Sequence, residues 1–187
     1  MNTSVIDTID TAIAPFTIAE IRLYMEVLLY LAKGRSNVPG SELNRRGYMT
    51  IMNGKTGEIV ITLPFGEIPP DKNQNYFEFS QEKAHRLFLH KSSHTNSFQS
   101  RNIENGEYGG AIYVKYGMNE FIFSFSGMPE LIDEAMMIAL SDKLAMDHYH
   151  GLISQSECRG RNPYWTRLLS DFLNHELIVS MEGEIES

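Results

Sequence analysis

Hydrophobic and polar residues along the chain follow two periods, one typical of helices and one of strands. Apolar residues recur every three or four positions over residues 17–34, after a T-x-x-E capping box, and predict the first helix. Runs rich in β-branched and aromatic residues at 47–52 and 58–63 predict a first hairpin. Similar runs at 111–116 and 121–126, joined by a glycine-containing turn, predict a second hairpin.

Three further helices follow from the same pattern. Residues 76–91 predict a central helix, preceded by a proline-rich connection over 64–75. A helix starts at Pro129, where proline fits the first helical position, and the first turn carries Glu130, Asp133 and Glu134. The last helix follows Asn162-Pro163.

The order helix, hairpin, helix, hairpin, helix predicts an α+β fold with an antiparallel sheet of four to five strands and helices packed on it. We expect an N-terminal arm over residues 1–16, an α/β domain over 17–146, and a C-terminal helical extension with an acidic tail over 147–187. The order provides no parallel β-α-β crossover and no G-x-G-x-x-G turn, so a dinucleotide-binding fold is disfavoured.

The second hairpin carries a resemblance to a known family. A double glycine (Gly109-Gly110), a hairpin, then Ser126-Gly127 and an acidic pair followed by alanine resemble the C-terminal half of the GlcG, HbpS and PduO C-terminal family. Residues 49–63 resemble the first hairpin of that family, and Lys83-Ala84 resembles the Lys-Ala of its central helix. The resemblance covers residues 17–145 and implies profilin-like α-β layers. Several family members bind haem, but the first helix here carries no histidine to ligate iron.

The resemblance also implies a binding site. It places Lys83 on the central helix, facing a cavity between helix and sheet, where a lysine would pair with a carboxylate or phosphate of a ligand. The other residues that it brings to this site are in the second half of the domain: Gly109, Gly110, Ser126 and Gly127. Glu107, a candidate acid or base, is a further candidate ligand contact. The alternative for Lys83 is the exposed face of a helix.

Two histidines form a candidate metal site. His90 and His94 are an i, i+4 pair near the end of the central helix, and such a pair chelates a metal if the helix persists. The alternative is a solvated helix end, because Ser92-Ser93 favours fraying there.

Composition limits the partners. The 187-residue chain has 16 Lys and Arg against 24 Asp and Glu, a formal net charge of -8, which argues against nucleic acid and anionic membranes. The N-terminal residues make a poor signal peptide and no apolar run approaches 18 residues, so we expect a cytoplasmic protein. Cys158 is the single cysteine and cannot form an internal disulfide.

Three functions remain open at this point. The first is a non-enzymatic, GlcG-like domain that binds a small molecule, with haem or another tetrapyrrole implied by the resemblance. The second is an assembly or adaptor protein, and the third is an enzyme that acts on a small acid with Lys83 and Glu107.

Two structural expectations accompany these functions. The polar segment 92–108 is long enough to be a binding loop, a lid or a disordered segment. The last helix has an apolar stripe beyond the family-like domain, which predicts a homo-oligomer formed by self-association of that stripe, unless the helix folds back on its own sheet. The residues of the stripe are Tyr164, Trp165, Leu168, Leu169, Phe172 and Leu173.

Overall fold

A computed structural model describes residues 16–32, 46–148 and 161–185. The predicted N-terminal arm, apart from Phe16, and Cys158 lie outside these residues. The helices are α1 (Ile18–Ala32), α2 (Pro70–His90), α3 (Glu130–His148) and α4 (Trp165–Ile185). The strands are β1 (Gly47–Asn53), β2 (Ile59–Phe65), β3 (Ala111–Tyr116) and β4 (Asn119–Ser126). Short 3-10 helices at Ser97–Ser100 and Ile103–Asn105 lie between α2 and β3.

The four strands form one antiparallel sheet in the order β2-β1-β4-β3, which confirms the predicted α+β class. Each hairpin supplies two neighbouring strands, and β1 pairs with β4 at the centre, with Thr50 opposite Ser124. Because successive side chains of a strand point to opposite faces, every strand contributes to two layers. Helix α2 packs on one face of the sheet, while α1, α3 and α4 form the layer on the other.

The larger core lies between the sheet and the α1, α3 and α4 layer. Phe123 and Phe125 of β4 are fully buried there with Met25 of α1. Phe16 closes one end of this core, with its ring in an edge contact with Tyr116 and Phe123. The capping box that starts α1 forms as predicted, since Thr17 N–H donates to Glu20 and Glu20 N–H donates to Thr17 Oγ1.

The face under α2 is part apolar and part polar. Its apolar part is a small cluster that includes Met52, Leu87 and Ile122. Its polar part is a chain of hydroxyl groups, in which Thr50 Oγ1 lies 2.9 Å from Ser80 Oγ and 3.1 Å from Thr62 Oγ1. Helix α2 is therefore positioned by hydrogen bonds as well as by apolar packing.

Helix α2 begins six residues earlier than the sequence pattern predicted, because Pro70 takes the first helical position, where proline is well tolerated. The residues that follow, Asp71 to Asn75, are exposed, so this first part of the helix has no apolar periodicity from which it could be predicted.

Helix α4 folds back on the described chain. Leu168 and Phe172 are buried in the larger core, and Tyr24 of α1 makes an edge contact with the Phe172 ring at 5.6 Å. The helix packs on α1 and α3 rather than on the sheet. The predicted boundary after residue 146 falls inside α3, and α4 continues into the predicted acidic tail as far as Ile185. The stripe of α4 therefore packs within the chain. Homo-oligomerisation stays a prediction, but the stripe no longer supports it.

No helix among the described residues combines the length and the apolar character that crossing a membrane requires.

Candidate functional site

Lys83 forms a buried ion pair with Asp133. Its Nζ lies 3.0 Å from Asp133 Oδ2 and donates to the carbonyl oxygen of Phe125 at 2.9 Å. The exposed fractions of the two side chains are 3% and 1%, so both charges are removed from water. The pair joins α2 to the start of α3 at the end of the sheet where β4 finishes.

Glycines make this close approach possible. Gly110 has a φ of +122°, and a Cβ at this position would lie 2.9 Å from Lys83 Nζ and 2.9 Å from Asp133 Cβ. At Gly127 a Cβ would overlap the carbonyl group of Arg46. The two glycines therefore let backbone segments meet around the ion pair, and no space for a ligand is left against Gly110.

Asp133 and its neighbours form a cluster of three carboxylates and three cations at the start of α3, which we name the α3 charge cluster. Its members are Lys83, Arg101, Glu130, Asp133, Glu134 and Arg161. Glu130 pairs with Arg101 at 2.7 Å, and Glu134, which is fully buried, pairs with Arg161. The guanidinium groups of Arg101 and Arg161 both lie over the ring of Phe98.

Burial changes the acidity of two of these carboxyl groups. Burial raises the pKa of Asp133 to about 6, although Lys83 and the backbone N–H groups of Met128 and Gly127 favour the ionised form. Burial also raises the pKa of Glu134, against the opposing effects of Arg161 and Asn162. Since each carboxylate of the cluster has its own cation, the cluster is close to neutral and its principal role is to join α2, α3, the polar loop and the start of α4.

Arg86 fastens the polar segment 92–108 to α2. It donates from Nη1 to the Ser97 carbonyl oxygen and to Ser100 Oγ, both at 2.7 Å, and from Nη2 to the Tyr108 carbonyl oxygen. Asn96 caps the first 3-10 helix in a capping box with Gln99. The segment is therefore held along its length by hydrogen bonds, and its backbone also bonds to the edge of the sheet through Tyr113 N–H and Thr95 O.

The predicted site residues come together only in part. Lys83, Gly110, Ser126 and Gly127 surround the end of β4, and Gly109 N–H donates to Glu130 Oε2 at 2.9 Å. Glu107 lies further along the polar loop, where its backbone pairs with that of Asn102.

The cavity that the resemblance implies in front of Lys83 is closed in this structure, and the ammonium group is occupied by Asp133 and Phe125. Haem does not fit the six predicted site residues. They leave no open space at Gly110, and none of them is a histidine, cysteine, methionine or tyrosine that would ligate iron.

His90 and His94 lie outside the α3 charge cluster; His90 is the last residue of α2, about two turns beyond Lys83, and His94 follows the helix. Their ring centroids are 5.2 Å apart. The described residues contain no group of three or more histidine, cysteine, aspartate or glutamate side chains placed to hold a metal ion.

A different concave surface lies between α1 and the end of β2, and we name it the α1–β2 groove. It has a volume of about 490 Å³. Buried Leu29 and Phe65 form its floor. Its remaining lining residues are Glu26, Tyr30, Arg46, Gly66 and Glu67.

Three of the lining residues are charged. Arg46 Nη1 donates to the Glu67 carbonyl oxygen at 3.3 Å, which holds the second residue after β2 against the residue before β1. Tyr30 is 55% exposed, and its ring centroid lies 6.4 Å from that of His175 of α4. The groove thus combines an apolar floor, one half-exposed aromatic residue, two acidic residues and one arginine.

Comparison with protein-family models, with curated proteins and with solved structures finds no match to this chain. The resemblance to the GlcG-type family therefore remains an interpretation of the residues themselves.

Sequence reasoning did not find the groove or the partners of the α3 charge cluster. The groove joins residues 26–30, 46 and 65–67, which no local motif connects. A signal for the cluster was present, because Asp133 and Glu134 precede the continuous apolar run Ala135–Leu140 and such carboxylates need cations if the helix is covered. The identity of those cations depends on tertiary packing.

Proposed function

We propose that this chain is a small-molecule-binding domain and that its binding site is the α1–β2 groove. The observation that carries the proposal is the groove itself, whose volume of about 490 Å³ lies within the range typical of small-molecule sites. Its lining combines an apolar and aromatic part, from Leu29, Tyr30 and Phe65, with three charged residues, so it is more polar than most such sites. The position implied by family resemblance is filled by the Lys83–Asp133 pair, which favours the groove over it.

The lining of the groove favours one class of ligand. The lining includes two acidic residues, Glu26 and Glu67, and one basic residue, Arg46. A ligand with a flat apolar body and an amine would place the body against Tyr30 and Phe65 and its charge near the carboxylates. The chain charge of -8 favours the approach of such a cation.

Thermal unfolding in the presence of aromatic amines, with aromatic acids as the comparison set, tests this proposal. We expect a concentration-dependent rise in Tm with amines, and a loss of at least about tenfold in affinity in Tyr30→Ala, since that substitution removes the aromatic ring. Leu89→Ala is the control, because Leu89 is 77% exposed, does not line the groove and lies outside α1. Binding that is equal in both variants would place the site elsewhere.

Haem binding stays a prediction of the resemblance alone, and the closed site around Lys83 disfavours it. A hemin titration tests it, with a shifted Soret band as the positive result. A cytoplasmic location and the absence of enzymatic activity likewise stay predictions from the sequence.

A second candidate function is assembly through α1. Leu23 and Tyr30 are 58% and 55% exposed, and with half-buried Val27 they form an apolar stripe at helical spacing on the outside of the helix. The stripe fits a second copy of the chain, which would give the predicted homo-oligomer. Light scattering at micromolar concentration is expected to show a dimer that becomes a monomer in Leu23→Asp, and a monomeric wild-type chain would remove this candidate.

A further inference from the structure

The last residue of α2 and the residue four positions beyond it are both histidines; the helix ends at His90, and a hydrogen-bonded turn over residues 91–93 joins it to His94. His94 N–H donates to the His90 carbonyl oxygen at 2.9 Å, an i to i−4 bond of the α-helical kind. Ser93 N–H donates to the same oxygen at 2.9 Å. Ser92-Ser93 therefore does not interrupt the turn, although the sequence favoured fraying at this point.

This turn brings the two imidazole rings together on one side. Their centroids are 5.2 Å apart with the ring planes tilted by 47°. A separation of this size allows both imidazoles to reach one metal ion, since each metal–nitrogen bond is about 2.0–2.1 Å long. His90 is exposed, so an ion from solution reaches the pair.

The surroundings prepare the pair for metal binding. Ser93 Oγ lies 2.8 Å from His94 Nδ1, and in the tautomer that donates this bond Nε2 carries the free electron pair. A hydrogen bond from the second ring nitrogen is the usual support of a metal-ligating histidine. The neighbouring cation, Lys91, is occupied elsewhere, with its ammonium group donating to the Gly54 carbonyl oxygen.

We propose that His90 and His94 form a binding site for a divalent transition metal ion, with Cu²⁺ bound more tightly than Ni²⁺ or Zn²⁺. Neutral imidazole suits these three ions, and Cu²⁺ binds most strongly in the general order of affinities. The described residues supply no third histidine, cysteine or carboxylate that completes a three-ligand group. Water fills the remaining positions, and the bound ion ties the end of α2 to the start of the polar loop.

Calorimetric titration of the full chain with CuCl₂, NiCl₂ or ZnCl₂ in a non-chelating buffer tests the site. We expect His90→Gln and His94→Gln each to weaken the tightest Cu²⁺ event by at least about tenfold, because one imidazole alone cannot chelate. His85→Gln is the matched control, since His85 is exposed on the same helix and its Nδ1 lies 3.1 Å from the Gln81 carbonyl oxygen. Circular dichroism checks that all three variants remain folded.

Electron paramagnetic resonance of the Cu²⁺-loaded chain gives an independent measurement. The wild-type spectrum should show two imidazole nitrogens on copper, and each of the His90 and His94 variants should show fewer. Unchanged Cu²⁺ affinity in both variants, or an equal loss in His85→Gln, would overturn the proposal. A wild-type spectrum without nitrogen ligation would also overturn it.

Discussion

At the scale of single residues, the Lys83–Asp133 pair is the interaction on which the end of the sheet depends. An isolated charge in this position would be costly, because both side chains are almost completely buried. The pair also receives support from Phe125 O, which accepts from Lys83, and from Met128 N–H, which donates to Asp133 Oδ1 at 2.9 Å. A lysine in this arrangement stabilises the fold and is unavailable to a ligand.

Removal of one partner should therefore cost more than removal of both. Lys83→Met leaves the Asp133 carboxyl group buried without its cation, and we expect a loss of about 3–5 kcal/mol in the free energy of unfolding. In the double variant Lys83→Met with Asp133→Asn, the amide oxygen still accepts from Met128 N–H, so the loss should be clearly smaller than the sum of the single losses. Urea unfolding of the four proteins measures this coupling, and additive losses would contradict the account.

The pKa of Asp133 gives a second prediction at this scale. Its native pKa of about 6 exceeds the ordinary value of 3.8, so the native state binds the proton more tightly than the unfolded chain. The contribution of Asp133 to stability is therefore greatest at low pH, and it falls by about 3 kcal/mol as pH rises from about 4 to about 6. The asparagine in Asp133→Asn does not titrate, so this variant is the reference for the pH dependence.

Relative to Asp133→Asn, the wild type should accordingly lose unfolding free energy as pH rises over that range. Above it, the difference between the two proteins should stay constant. Urea unfolding at several pH values between 4 and 7.5 measures the difference. A difference that moves in favour of the wild type as pH rises would show that the carboxylate is stabilised rather than destabilised by its site.

At the scale of secondary-structure elements, the polar loop is the segment whose behaviour the sequence predicted least well. Its length and composition left a binding loop, a lid and disorder open, and Arg86 connects three of its residues to α2. The exposed fraction of the Arg86 side chain is 8%, so its hydrogen bonds are largely protected from water. The loop is thus part of the folded framework before any ligand binds.

Arg86→Met tests this description by amide hydrogen exchange. The substitution leaves the acceptors at Ser97, Ser100 and Tyr108 without their donor, so we expect faster exchange at Gln99, Ala111 and Tyr113, whose N–H groups bond within or to the loop. Exchange in the β1–β2 hairpin should not change. Arg167→Met, on an exposed position of α4, is the control. Loop amides that already exchange freely in the wild type would restore the lid hypothesis.

The elements themselves followed well from sequence, for physical reasons that particular residues illustrate. The Thr17–Glu20 capping box and the strand alternation at Ile122 and Phe123 are local patterns, and the structure contains both. The start of α2 at Pro70 was missed because its first turns are solvated and carry no apolar repeat. Neither the Arg86 contacts nor the α1–β2 groove could be predicted, since each joins segments that are distant along the chain.

At the scale of the whole molecule, α4 completes the larger core. Phe172 is fully buried and contacts Tyr24 of α1, while Arg161 and Asn162, just before the helix, donate to Glu134 of α3. The predicted C-terminal extension is thus joined to the predicted domain by both apolar and polar contacts.

Phe172→Ala should therefore destabilise the chain by about 3–5 kcal/mol, as the loss of a buried aromatic ring usually does. Because the contacts are intramolecular, the loss in unfolding free energy should not depend on protein concentration. Leu89→Ala is the control, since Leu89 is 77% exposed and its truncation should change stability by less than about 0.5 kcal/mol. A loss that appears only at high protein concentration would instead indicate that α4 packs against another copy.

The most direct test of the proposed function is to map where a ligand binds. Nuclear magnetic resonance titration of the labelled chain with an aromatic amine such as tryptamine reports every backbone amide at once. We predict that the shifted amides concentrate at Tyr30, Gly66 and Glu67, which line the α1–β2 groove, and that the shifts at these residues are lost in Tyr30→Ala. Shifts concentrated at Gly110, Ser126 and Gly127, or no shifts with any amine or acid tested, would contradict the proposal.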